Sequence, residues 1–339
     1  MAESRNQLLG PLLKSVSRTF YWTLRVLPAK IRFQIGLAYL LARTTDTIAD
    51  TGLVAPEKRL QGLKELRERI IGLSGTPLNF NELRQHQGSP AERILLEKSE
   101  SAISLLETLA PQDRQLVREV LVTITSGQEL DLQRFGGASA ARIESLRTAD
   151  ELDDYTYRVA GCVGDFWTKI CLAHLYPGRG LDESYLLAKG VCFGQGLQLV
   201  NVLRDLPADL RNGRCYLPAD QLSSCGLAPK DLLKPANEAR LRPVYNAWLT
   251  RAESHLYAGW GYTNALPRGS VRVRLACAWP IQIGLATTKL LRAAPVLDPA
   301  KRVKVTRPEV KKLMLRSVLL YPFPAWRRLV GASPKTTSA

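Results

Sequence analysis

Two pairs of aspartates carry the strongest chemical signal in the sequence: Asp46 with Asp50, and Asp205 with Asp209, each spaced four residues apart. On a helix this spacing puts both carboxylates on one face, with Cβ atoms about 5–6 Å apart, where the like charges repel. A solvated helix end tolerates that at small cost. Both pairs, however, follow apolar turns, with Leu37, Tyr39, Leu40 and Leu41 before the first and the run QLVNVL before the second. Two acid pairs at the ends of buried helices make sense if they face each other across a pocket holding Mg²⁺, a hard cation that takes a few carboxylates plus water and phosphate oxygens. Gln198 and Asn201 add polar groups one and two turns upstream of the second pair. Helix-end solvation is the competing account of both pairs.

Basic residues accompany the acids. Arg18, Arg43 and Arg204 lie near them, and Arg211 and Arg214 follow the second pair. They can ion-pair with the aspartates, hold a diphosphate bidentately beside the metal, or do both. Between the two pairs, Tyr155 and Tyr157 precede Ala160, Gly161 and Gly164. Glycine inside a helix costs about 1 kcal/mol relative to alanine, so something requires the space. Close approach of a second helix is one account; the wall of a cavity for a long apolar ligand, with tyrosine faces that stabilise a carbocation, is the other.

The elements that must position these groups read as helices. Apolar residues recur at three-to-four spacing, as at Ile35, Ala38, Leu41 and Ala42, and alternating β-branched runs are few. The spacing predicts helices near 4–26, 29–50, 56–73, 92–108, 112–136, 148–175, 180–206, 238–265, 270–293 and 307–320. This is an all-α pattern with no internal repeat and no dividing linker, read as one domain over 1–330 with 331–339 as a frayed polar tail. With 45% hydrophobic and 23% charged residues among 339, the chain has material for a packed core. The longest uncharged apolar runs, 190–203 and 275–288, are each 14 residues, short of the about 18 a membrane span needs. Six cysteines show no metal-ligand spacing and imply free thiols in a reducing compartment. The charged N-terminal stretch does not read as a secretory signal, so the expected location is the cytoplasm.

The formal net charge is +16. It suits a polyanionic partner of some kind, but no nucleic-acid-binding motif accompanies it. Near the C-terminus, VKKLMLRSVLLYPFPAWRRLV mixes apolar, aromatic and basic residues. It reads as a last core helix followed by a docked proline-containing segment, with an interfacial contact on the inner, anionic membrane face as the alternative.

Taken in order, SRTF (17–20), LARTTDTIAD (41–50), YTYRVAGCVG (155–164) and QLVNVLRDLPADLRNGRCYLP (198–218) resemble the squalene and phytoene synthase family of head-to-head prenyltransferases. The resemblance implies an all-α isoprenoid-synthase fold with a central cavity between two aspartate-rich helices. It assigns Asp46 and Asp50 to one Mg²⁺ site, and Asn201, Asp205 and Asp209 to a second. It places Ser17, Arg18, Phe20, Arg43, Gln198 and Arg204 against the diphosphate or the start of the prenyl chain, and makes Tyr155 the catalytic tyrosine. Pro207 departs from the pattern: its missing N–H would break the helical bond to residue 203 and disturb the spacing of Asp205 and Asp209.

Within the family, LACAWPIQIGLATTKLLRAAPVLDPAKRVKVTRPEVKKLM (275–314) looks more like squalene synthases. That likeness implies NADPH as a cofactor with Lys304 and Arg307 on its phosphate, although no glycine-rich dinucleotide fingerprint lies nearby. The implied activity joins two farnesyl diphosphates to presqualene diphosphate, which is then reduced to squalene. The alternatives are an enzyme ending at phytoene, dehydrosqualene or presqualene diphosphate, or a non-catalytic basic helical protein binding RNA or membrane. A product as apolar as squalene also implies transient membrane contact.

Overall fold

The computed structural model describes residues 6–17, 20–301 and 303–331; Arg18 and the expected tail from 332 onward lie outside them. Among the described residues the chain is helical almost throughout. The single sheet is a parallel pair, Glu144–Ser145 (β1) with Arg214–Cys215 (β2). The chain divides into two compact units: residues up to Gly136 with Phe166–Gly180, and Gly137–Asp165 with the residues from Leu181 onward.

The first unit contains α1 (Phe20–Val26), α2 (Ala29–Ala49), α3 (Pro56–Ile71), α4 (Pro90–Glu97), α5 (Ser99–Glu107) and α6 (Pro111–Phe135). Proline opens α3, α4 and α6, where its missing N–H would have no partner within the helix anyway. The expected helix at 92–108 is broken at Lys98, between α4 and α5. Ile31, Ile35, Leu37, Leu40, Leu41 and Ile48 of α2 are buried. On the same helix, Gln34 Nε2 donates to Oδ2 of the buried Asp113 at 3.0 Å, and His174 Nε2 lies 2.7 Å from the other carboxylate oxygen.

The second unit holds α7 (Ala149–Thr156), a π-helical turn at Tyr157–Gly161 and the first residues of α8 (Cys162–Leu175), whose part from Phe166 onward belongs to the first unit, then α9 (Glu183–Arg211), α10 (Glu238–Ala265), α11 (Val271–Ala293) and α12 (Arg307–Leu320). Thr148 caps α7 and Asp182 caps α9, each accepting a backbone N–H three residues on. The small residues after Tyr155 serve close backbone approach. A Cβ on Gly164 would sit 1.9 Å from the Gly190 carbonyl oxygen, and one on Gly194 would sit 2.1 Å from that of Ala160.

Pro207 does not end α9, which runs on to Arg211, five residues beyond the expected limit. The carbonyl deprived of its helical donor is that of Leu203, and Tyr245 Oη on α10 donates to it at 2.9 Å. Tyr245 is fully buried, and burial pushes its phenol upward, so it keeps the proton it donates. Asp205 and Asp209 therefore stay on a continuous helix.

α9 is the one helix among the described residues long and apolar enough to cross a membrane by length and composition, with 39% of that window buried. Its last two turns carry Arg204, Asp205, Asp209 and Arg211, and it packs on α10 and α11 within the second unit. The C-terminal segment is docked: Trp326 Nε1 donates to Asn264 Oδ1 at 3.0 Å, and the Arg274 guanidinium lies 5.4 Å from the rings of Tyr321 and Trp326. All six cysteines are free, four of them buried; burial pushes Cys162, Cys215 and Cys277 up to about 12.

Replacing Tyr245 by Phe should leave the Leu203 carbonyl buried without a donor, at a cost of about 1–3 kcal/mol in denaturant unfolding. In a Pro207→Ala background, which restores the helical N–H, the same substitution should cost measurably less. An equal cost in both backgrounds would show that the phenol does not compensate for the proline.

Candidate active site

In the first unit Asp46 lies near the end of α2. Its Oδ1 accepts from Gln128 Nε2 on α6, and its Oδ2 is 3.6 Å from Arg43 Nη1. Arg43 is held from its other side by Glu92 of α4. Asp50 follows as the exposed residue closing the helix. The guanidinium of Arg59, 6% exposed, donates to the Ala49 carbonyl at 2.8 Å, placing a cation at the negative end of the helix dipole. Burial and the neighbouring charge of Asp50 push the Asp46 carboxyl up to about 6, against the pull of Arg43 and Gln128. The side chain nonetheless keeps 47% of its surface open, so water tempers that shift and a cation can reach the oxygens.

Phe20 stacks on Tyr39, with ring centroids 5.2 Å apart. Ser17, the last residue of a short helix at Leu13–Ser17, is buried and donates its hydroxyl hydrogen to the Leu13 carbonyl at 2.5 Å, so that hydrogen is spent within its own helix. Arg18 belongs to the undescribed residues.

In the second unit Gln198, Asn201, Arg204, Asp205 and Asp209 form the partly exposed face of α9, while Leu199, Val200, Val202, Leu203, Leu206 and Leu210 are buried behind them. One face is thus a polar ladder and the other is core. Gln198 Nε2 donates to Tyr155 Oη at 3.4 Å, and Asn201 Nδ2 donates to Gln198 Oε1 at 3.3 Å. The Tyr155 ring stacks on Tyr216 at 4.7 Å. Arg204 forks onto Asp205, with Nε to Oδ1 at 3.0 Å and Nη2 to Oδ2 at 2.5 Å, a charge-assisted bidentate pair. This arginine is thus already engaged with a carboxylate of its own helix.

Lys304 and Arg307 are exposed at the start of α12, apart from this ladder in sequence, and neither forms an ion pair among the described residues. Between them Thr306 and Glu309 satisfy the helix end as a capping box. Exposed cations without ion pairs have the chemistry that a phosphate group needs.

Among the described residues no three His, Cys, Asp or Glu side chains cluster as a closed metal cage. Each acid set instead offers two carboxylates, with the Asn201 amide added in the second. That donor set is too small to enclose a cation but fits Mg²⁺, which keeps several waters and shares its shell with substrate phosphates. Gln128, Glu92 and Arg59, which hold the first pair, had no signal in the sequence because their roles depend on packing between helices. Tyr216 lies inside a stretch whose motif could have singled it out.

An all-helical chain carrying two aspartate pairs at helix ends is the architecture of an isoprenoid synthase. A ligand complex of TcSQS matches it with a TM-score of 0.74, covering 97% of this chain and 96% of that one at 20% identity. Residues 13–309 match the squalene/phytoene synthase family, and the chain belongs to that family of head-to-head prenyltransferases. It is 26% identical over 83% of its length to the squalene synthase of Saccharomyces cerevisiae, spanning 60% of that protein. It is 30% identical over 76% of its length to the presqualene diphosphate synthase of Rhodopseudomonas palustris, spanning 78% of that enzyme.

The raised Asp46 carboxyl gives a signed prediction for the metal-free protein. A carboxyl that binds its proton more tightly when folded contributes stability that is present below the unfolded value of about 3.9 and lost as pH rises through about 6. Asp46→Asn should therefore gain stability over the parent as pH rises from 4 to 8, by on the order of 1 kcal/mol after allowance for solvent screening. Thermal unfolding in chelator across that range measures it, and parallel pH profiles for the two proteins would refute it.

Proposed function

We propose that this chain condenses two molecules of farnesyl diphosphate head to head, with Mg²⁺, to presqualene diphosphate, and that reduction with NADPH to squalene follows in the cytoplasm. The observation that carries this reading is the Asn201–Gln198–Tyr155 chain of hydrogen bonds, which continues the face bearing Asp205 and Asp209. It links groups suited to a metal diphosphate with a tyrosine hydroxyl suited to proton movement.

Bound Mg²⁺ would supply charge neutralisation to the departing diphosphate, held by Asp46 and Asp50 in one set and by Asn201, Asp205 and Asp209 in the other. Arg204 can release Asp205 to the metal and turn its fork to phosphate oxygens, a swap between equivalent bidentate partners. Gln198 donates to Tyr155 Oη, which ties the phenol to the polar face of α9. As the allylic carbon joins the second molecule's double bond, a proton must leave for the cyclopropane to close, and Tyr155 Oη would pass it on to the departing diphosphate. The stacked Tyr216 fixes the plane of that ring, whose face also suits a passing carbocation. Lys304 and Arg307 would hold the NADPH phosphate, and the nicotinamide would supply hydride.

A second reading has its own support: the 30% identity with a presqualene diphosphate synthase favours an enzyme that stops before reduction. Incubation with farnesyl diphosphate and Mg²⁺, with and without NADPH, separates the two by the mass of the extracted products. Squalene only with NADPH supports the reductive enzyme; presqualene diphosphate in both tubes supports the shorter reaction. Tyr155→Phe should slow farnesyl diphosphate consumption by about 100-fold or more, and Asp205→Asn by at least as much. Unchanged consumption in both folded variants would overturn the assignment of this face.

A further inference from the structure

We propose that the outward face of α12 and the turn after it form a docking surface for an anionic lipid bilayer. The inner side of this helix is firmly held. Ser317 is fully buried and accepts from Trp279 Nε1 at 2.9 Å, while Trp326 is locked back onto the body by Asn264, Trp260 and Arg274. The opposite side has no cover among the described residues. Leu315, Val318, Leu319 and Phe323 are 60%, 47%, 61% and 59% exposed. At 100° per residue the first three share one arc of the helix, and Phe323 stands out between Pro322 and Pro324, which end the helix.

The charge around this apolar strip decides what covers it. Lys311 and Lys312 lie one turn before it, Arg316 beside it, and Arg327 and Arg328 after it, all exposed. From Arg307 to Arg328 there are six basic residues and one acidic. That acid, Glu309, is engaged in the helix cap with Thr306. A second copy of the same chain would bring like charges together across the strip. Nucleic acid would gain phosphate contacts but would meet three aliphatic side chains where stacking groups are needed. An apolar strip ringed by lysine and arginine on a pre-formed helix suits lipid headgroups around the rim and acyl chains at the centre. The face engages the membrane from one side, without a span.

The test needs no prenyl substrate, so its outcome is independent of the proposed reaction. The full chain is floated with vesicles of phosphatidylcholine alone, or of about three parts phosphatidylcholine to one of phosphatidylglycerol, at low and high salt. It should bind only the anionic vesicles and be released by salt, because headgroup attraction extends about one Debye length. Lys312→Gln should weaken partitioning about fivefold, and the double variant Leu319→Ser with Phe323→Ser about tenfold or more. Lys64→Gln, an exposed lysine of the other unit, should change nothing. Equal binding to neutral vesicles, indifference to both variants, or self-association that the double variant abolishes would each overturn the proposal. The lysine variant lies on an exposed helix surface, so it reports on binding even if the double variant unfolds.

Discussion

The hydrogen bond from Tyr245 to the Leu203 carbonyl is the interaction on which the second acid set depends. A helix must run unbroken from Gln198 to Asp209 for three turns of polar side chains to share one face, yet the chain places a proline within that stretch. Without a substitute donor the helix would bend or carry an unsatisfied buried carbonyl, and either would misalign the aspartates. The phenol arrives from a different helix and is itself fully enclosed. The geometry of the site is therefore written partly in α10, a helix that contributes none of the assigned ligands.

The two acid sets manage their charge differently. In the first, Asp46 is restrained by a neutral amide and by an arginine already shared with Glu92, and it stays reluctant to ionise beside Asp50. In the second, Asp205 takes the full fork of Arg204. Both arrangements hold carboxylates in place while no cation is bound, but the first does so at the expense of stability and the second through a counter-ion that can change partners. Residues arranged for ligand rather than for fold often show this tension.

Much of the fold was legible because buried helices leave a periodic trace. The limits of α10 and α12 follow the apolar spacing residue for residue, and the acid pairs announced themselves by their position after apolar turns. What could not be read was cooperation between distant helices. The spacing gave no means to pair Gln128 with Asp46, or Tyr245 with the carbonyl that Pro207 frees. Hence a helix end was expected near 206 where none occurs. The small residues from Ala160 to Gly164 were open to two accounts, and the approaches of Gly164 to Gly190 and of Gly194 to Ala160 select close backbone contact. The break at Lys98 had no glycine or proline to mark it. Ser17, assigned by motif alone, turns its hydroxyl to its own helix; short hydroxyl side chains have that local option wherever they sit.

The glycine crossing also has a mechanical consequence. Where two backbones touch with no side chain between them, there is no compressible layer and no rotamer to adjust. The turn that follows Tyr155 and the helix that bears Asp205 and Asp209 must then move as one stiff body. Any breathing of this unit has to come from its looser parts, while the turn and the helix keep their spacing.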